Sequence, residues 1–152
     1  MNDASLAAAL VGAWRLLRWT IEYPATGRLT RPFGPAAEGL LVYSADGHMS
    51  ATLQRPGRPR LSSADPNTVS DAEKAAAFSG YVHYAGTWHV ADGHVIHDVE
   101  FAMNPNLVGT RQVRSLALAG DVLELGAEEA LEAPGAVRRH HLAWRRAGSA
   151  AG

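Results

Sequence analysis

Three turn dipeptides constrain the architecture of this chain more tightly than any other feature. Asp46-Gly47, Asp92-Gly93 and Gly120-Asp121 each stand between two segments in which apolar and polar residues alternate. An Asp-Gly pair accepts the positive φ that both central residues of a type I′ turn need, so it marks a tight hairpin. The arms so defined are residues 40–44 with 48–54, 84–90 with 94–103, and 110–118 with 122–125. An opening strand over 12–23 and a closing one over 137–146 complete the set, and residues 6–10 read as a short helix. Eight strands in sequential hairpins, without the spacing of βαβ units, predict an all-β chain. The favoured form is a closed eight-stranded antiparallel up-and-down barrel; a β-sandwich is the rival.

The 152 residues fit one domain spanning 1–152. Fourteen basic against fifteen acidic residues give a net charge of −1, which offers nothing to drive phosphate contacts, so no nucleic-acid partner is expected. The absence of cysteine excludes disulfides, thiolate zinc sites and a cysteine nucleophile. No apolar run approaches the ~18 residues of a membrane span. The start Met1-Asn2-Asp3-Ala4-Ser5 lacks a basic region ahead of an apolar one, so a cytoplasmic location is expected. The small, polar tail over 147–152 is expected to fray.

Residues 55–83 interrupt the meander as a loop-plus-helix insertion. Arg55-Pro56-Gly57-Arg58-Pro59-Arg60 is a loop by composition, and Ser70 with Glu73 forms a capping box ahead of a helix over 71–78. Such an insertion reads either as a lid over one end of the barrel or as a peripheral helix covering a sheet edge.

Hairpin pairing also assigns faces, because directly opposed residues share one. A two-residue loop at Asp92-Gly93 pairs Val90 with Val95 and Trp88 with His97. One face then carries Gly86, Trp88, Val90, Val95, His97, Val99 and Phe101, and its apolar character makes it the interior. His97 is a lone polar group in that wall. The third hairpin pairs Leu118 with Leu123 and Leu116 with Leu125, and the same face runs back to Arg114 and Gln112. An arginine continuing a leucine face inward costs several kcal/mol unless it is paired; the alternative is that it meets water at the barrel mouth. In the first hairpin Leu40, Val42, Met49, Ala51 and Leu53 are taken as the inner face. Should the other face turn inward, Tyr43 and Ser50 join the polar group.

Gly12-Ala13-Trp14 in the first strand and Trp144-Arg145-Arg146 in the last resemble the lipocalin pattern. There a tryptophan closes the barrel base and an arginine of the last strand stacks across it. Leu10-Val11-Gly12-Ala13-Trp14-Arg15-Leu16, Pro32-Phe33-Gly34, Gly39-Leu40-Leu41-Val42-Tyr43, Asp46-Gly47-His48-Met49-Ser50 and Tyr84-Ala85-Gly86-Thr87-Trp88 are more specifically similar to the bacterial and fungal lipocalin-like domain family. His97, Asn104-Pro105-Asn106, Gly109, Gln112, Arg114 and Leu142-Ala143-Trp144-Arg145-Arg146 continue the likeness in order. The resemblance implies an eight-stranded barrel with an internal cavity, and leaves the activity open.

The chemistry available is narrow. His94 and His97 diverge on a strand, as do His140 and His141, so no metal site is expected. Haem ligation through His97 stays open beside a hydrogen-bonded core histidine. No Gly-x-Ser-x-Gly elbow or phosphate-binding glycine pattern occurs. The cluster Arg138-Arg139-His140-His141 reads as a solvated edge. What remains is an apolar pocket lined by Met49, Trp88, Val99, Phe101 and Leu116, with Tyr43, His97, Gln112 and Arg114 as its polar groups. The expected partner is a small hydrophobic molecule carrying a carbonyl or carboxylate, held by Arg114 without any cofactor; a homodimer is compatible. The alternative is a cofactor-independent isomerase, cyclase or hydratase, in which His97 moves a proton and Arg114 stabilises the developing oxyanion. In a third, purely structural reading the polar groups pair with one another.

Overall fold

The computed structural model describes residues 1–148; the last residues of the tail, 149–152, lie outside the described ones. Helix α1 (Asp3–Leu10) precedes the strands β1 (Gly12–Tyr23), β2 (Arg28–Thr30), β3 (Glu38–Tyr43) and β4 (His48–Gln54). Helix α2 (Asp71–Ser79) follows, then β5 (Tyr81–Ala91), β6 (His94–Ala102), a single 3₁₀ turn (Pro105–Leu107), β7 (Arg111–Ala119), β8 (Val122–Ala130) and β9 (Val137–Arg146). Every neighbouring pair is antiparallel, and β9 returns to β1 from Trp14↔Arg146 to Glu22↔Arg139. That last ladder closes an eight-stranded barrel; the three-residue β2 is an additional strand on the far end of β1. The sandwich alternative is excluded.

Turn chemistry explains where the expected register held and where it slipped. Asp92 and Gly93 both adopt positive φ, 52° and 72°, and Trp88↔His97 and Val90↔Val95 pair as the two-residue loop requires. Gly120 has φ 60° at the first central position of its turn, and Leu118↔Leu123 and Leu116↔Leu125 follow. The first hairpin differs. Ser44 donates its N–H to His48 O at 2.8 Å and Gly47 alone turns to positive φ, 91°, so the loop has three residues rather than two. One extra residue moves a whole arm to the other face. Tyr43 therefore opposes Met49 and Leu41 opposes Ala51. All four are buried with Leu53, so Met49, Ala51 and Leu53 face inward as read from the sequence, while on β3 Leu40 and Val42 turn outward and Leu41 and Tyr43 take their place.

A second correction concerns Phe101. Gly86 pairs with Val99 but Ala85 pairs with Phe101, so Glu100 is the extra residue of a β-bulge. The bulge carries Phe101 to the outer surface, where it is 67% exposed. Gly86 makes this possible: a Cβ there would sit 1.9 Å from the Asp98 carbonyl oxygen.

Helix α1 stoppers one end of the barrel. Asn2 caps it by accepting from Ser5 N–H, and Leu10 at its other end is fully buried. Trp14 donates its indole N–H to Leu10 O at 3.0 Å, and the Arg146 guanidinium lies 4.2 Å over the Trp14 ring. Arg146 also donates to Val11 O at 3.1 Å, taking up a carbonyl that the helix end leaves free. The Asp3 carboxylate accepts from Asp92 N–H and Gly93 N–H, both at 2.9 Å, which ties the helix to the β5–β6 turn. Among the described residues no helix is long and apolar enough to cross a membrane.

The insertion is neither a lid nor an edge cover. Gln54 and Tyr81 are direct partners, so the chain leaves the barrel and re-enters at the adjacent position, with β5 starting at Tyr81 rather than 84. Both flanking strands are already paired, and no residue of 55–80 lines the cavity described below. The capping box forms as expected, Ser70 Oγ accepting from Glu73 N–H at 3.2 Å. The helix is held beside the barrel by Arg58, which donates to Ala77 O at 3.1 Å and lies over the Tyr81 ring.

Candidate functional site

The barrel encloses a cavity of about 480 Å³ at the end away from α1. Leu41, Ala51, Leu53, Leu125 and Leu142 supply much of its apolar wall, and Tyr84, His97, Gln112 and Arg114 its inner polar groups. Of the pocket residues read from the sequence, His97, Gln112 and Arg114 line this space. Trp88, Val99, Met49 and Tyr43 are buried in the packed core instead, and Leu116 packs against that core half-buried. Phe101 is outside. Tyr84, Trp144, Trp19 and His140 line the cavity without having been singled out for it.

His97 is 2% exposed and held between two phenols. Its Nε2 lies 2.7 Å from the Tyr43 hydroxyl and its Nδ1 2.5 Å from that of Tyr84. Burial first, and the nearby Arg114 charge second, push its pKa from 6.5 down to about 3, against a weaker pull from Asp98. Burial likewise raises both tyrosines above the usual phenol range. All three groups are therefore neutral at physiological pH.

Neutrality fixes the direction of the hydrogen bonds. Imidazole then carries one N–H and one lone pair. The enclosed Tyr43 hydroxyl has no partner but Nε2 among the described residues, so accepting there would strand its own proton in the core, at a cost of about 1–3 kcal/mol. Tyr43 accordingly donates to Nε2, His97 donates from Nδ1 to Tyr84, and the Tyr84 proton is left for the cavity that Tyr84 lines. This assignment leaves no donor stranded in the closed core. Both ring nitrogens of His97 are thus engaged by tyrosines; His97 and Tyr84 both line the cavity, and Tyr84 is the member of the trio with a proton to offer it.

Arg114 and Gln112 reach inward from β7, opposite Val95 and His97 of β6. Arg114 donates to Gln112 Oε1 at 3.3 Å, and Gln112 Nε2 donates to Thr110 Oγ1 at 2.8 Å. Among the described residues no carboxylate lies within ion-pair distance of Arg114. The cavity carboxylates are already engaged: Glu129 with Arg138 at 2.8 Å and Glu128 with Arg139 at 3.1 Å. These cross-strand pairs extend β8 to Ala130, beyond the expected end at 125. The basic cluster of β9 is thus not a solvated edge. β9 is paired on both sides, Arg138 and His140 line the cavity, and His141 lies 3.3 Å from Glu22 outside.

Two further groups complete the lining. Trp19 donates to His140 Nδ1 at 3.1 Å while His140 Nε2 faces Glu129 at 2.9 Å, and burial holds the His140 pKa below its ordinary value. Trp144 is 2% exposed, and its indole N–H is the one buried side-chain polar atom without a partner among the described residues.

The wall parts beside Arg114. β7 and β8 pair only between Ser115↔Gly126 and Ala119↔Val122. Toward the mouth, Arg111 to Arg114 pair with β6 alone and Ala127 to Ala130 with β9 alone. Glu128, whose neighbours in the strand alternation face outward, reaches the cavity at this gap.

Comparison with known proteins agrees with this architecture. The sequence pattern of the lipocalin-like domain matches residues 11–147. A curated relative, named 4'-hydroxy-3'-methoxypropiophenone carrier protein ppsC, comes from Aspergillus oryzae. It is 36% identical over 106 residues, which cover 64% of this chain and 96% of the relative. With its closed eight-stranded barrel and the Trp14–Arg146 contact at the stoppered end, the chain belongs to the lipocalin-like domain family.

Proposed function

We propose that this protein binds and carries a small hydrophobic molecule bearing a carbonyl or carboxylate oxygen inside its barrel. The observation that carries the reading is the Arg114 guanidinium, which lines the cavity without a carboxylate partner among the described residues, while Arg138 there is paired with Glu129. A partly buried cation without a carboxylate is unfavourable unless something supplies the missing acceptor. A ligand oxygen does so by charge-assisted hydrogen bonds while its apolar body covers Leu41, Leu53 and Leu142. The volume of about 480 Å³ suits a molecule with one aromatic ring and a short side chain. The relative named as carrier of an aryl ketone supports the same class of cargo. A barrel without cysteine suits a reducing compartment, and we place this carrier in the cytoplasm.

Calorimetric titration with para-hydroxypropiophenone, benzoate and propylbenzene tests this. Saturable binding of an oxygen-bearing probe is expected, weakened about tenfold or more in Arg114→Met, with propylbenzene indifferent to the substitution. Equal affinity of the oxygen-bearing probes for wild type and Arg114→Met contradicts the reading, as does no binding of either.

A further inference from the structure

We infer that the inner end of the cavity is an oxyanion site, which takes hydroxyaryl ketones in their ionised form. This rests on the carrier reading and specifies the chemical state of the cargo.

The groups left over after internal pairing at that end are all donors. Tyr84 offers the terminal proton of the Tyr43–His97–Tyr84 chain, in which each donor polarises the next. Arg114 stands close enough to Tyr84 for its charge to act against the burial effect on that phenol. Trp144 carries the unpaired indole N–H. Gln112 accepts from Arg114 and gives one of its two amide N–H groups to Thr110.

The charges around this end cancel in pairs and leave one over. On β6, His97 is neutral and Asp98 is paired outside with Arg111 at 2.8 Å. On β8, Glu128 and Glu129 are matched by Arg139 and Arg138 of β9. His140 is kept neutral by burial. Arg114 is the charge that remains, and preorganised donors around one cation stabilise an oxyanion as they do in catalytic sites.

The cargo chemistry meets this demand from either end. When a para-hydroxyaryl ketone loses its hydroxyl proton to solvent, the negative charge is shared between the phenolate oxygen and the conjugated carbonyl oxygen. Whichever oxygen faces Arg114 and Tyr84, the ionised form gains more from them than the neutral form. The apolar wall acts in the opposite sense, by desolvation, so the sign of the shift in the bound molecule decides the matter.

The test uses para-hydroxypropiophenone, whose absorbance band moves to longer wavelength on ionisation, from about pH 5 to about pH 9. Tryptophan emission reports occupancy separately. The bound probe is expected to ionise at least about one pH unit below the free probe. Arg114→Met should abolish that displacement, Arg114→Lys keep part of it, and Tyr84→Phe reduce it. A probe that occupies the cavity but ionises at or above its free value overturns the oxyanion site and leaves the carrier reading standing. A probe that fails to bind at every pH overturns both.

Discussion

The Tyr43 hydroxyl lies 2.7 Å from Nε2 of His97 and has no other hydrogen-bond partner among the described residues. That contact turns a buried histidine into the middle of a directed chain, ending at the cavity in Tyr84. The imidazole is engaged on both sides and neutral, so each hydrogen bond of the chain polarises the next. Tyr43→Phe removes the first donor and leaves Nε2 unpaired in the core. A loss of about 1–3 kcal/mol in urea denaturation is expected, with ligand affinity changing less than in Tyr84→Phe.

The depressed pKa of His97 has a thermodynamic signature. In the unfolded chain the ring titrates near 6.5, in the folded barrel near 3. Above pH 6.5 both states hold it neutral and stability is complete; on acidification the unfolded state gains a proton that the native state refuses. Stability therefore falls as pH drops from about 6.5 to about 3, by on the order of 4 kcal/mol from this group. Denaturation midpoints across that range should flatten in His97→Gln. A pH dependence as steep in the variant as in wild type would assign the acid sensitivity elsewhere.

Arg146 joins the last strand, the first strand and α1 in one residue. It stacks on Trp14 at 4.2 Å and takes a carbonyl of the segment linking α1 to β1. Arg146→Met keeps much of the aliphatic stem and loses the charge. A cost of about 2–4 kcal/mol is expected by chemical denaturation, with partial rescue in Arg146→Lys. A neutral result would mean that Leu10 and the Asp3 tie to the β5–β6 turn hold α1 without Arg146.

Gly86→Ala is expected to be more damaging than its size suggests. The added methyl meets backbone, the Asp98 carbonyl, rather than a movable side chain. Relieving that contact means flattening the bulge, which would swing Phe101 inward against the packed core. Overpacking against backbone costs at least about 1–3 kcal/mol, and soluble yield with thermal unfolding reads it directly.

Much of this was legible in the sequence because hairpins with two-residue loops fix their own register. Trp88 opposite His97 and Leu116 opposite Leu125 follow from counting outward from the turn, and they carry Gln112 and Arg114 inward with them. Counting fails where the count itself changes. The three-residue loop before His48 exchanged the faces of β3, and the bulge at Glu100 ejected Phe101. Tyr84 was within reach, since it stands two residues before Gly86 on the inward face. The Trp19–His140–Glu129 network was not: it depends on the β8–β9 and β9–β1 registers, which span a loop and the barrel closure. Nor does local patterning announce that Trp144 keeps an unpaired N–H.

The four indole N–H groups give the most direct test of an oxygen-binding cavity. Trp14 donates to Leu10 O, Trp88 to Ser44 O and Trp19 to His140, while Trp144 donates to nothing among the described residues. Their four cross-peaks in a proton–nitrogen correlation spectrum, assigned by single Trp→Phe variants, can be followed as para-hydroxypropiophenone is added. Ligand in the cavity should move the Trp144 signal most, downfield as it gains an acceptor, displace Trp19 less, and leave Trp14 and Trp88 at the stoppered end in place. Saturation without movement of Trp144, or with movement confined to Trp14 and Trp88, would contradict the cavity as the binding site.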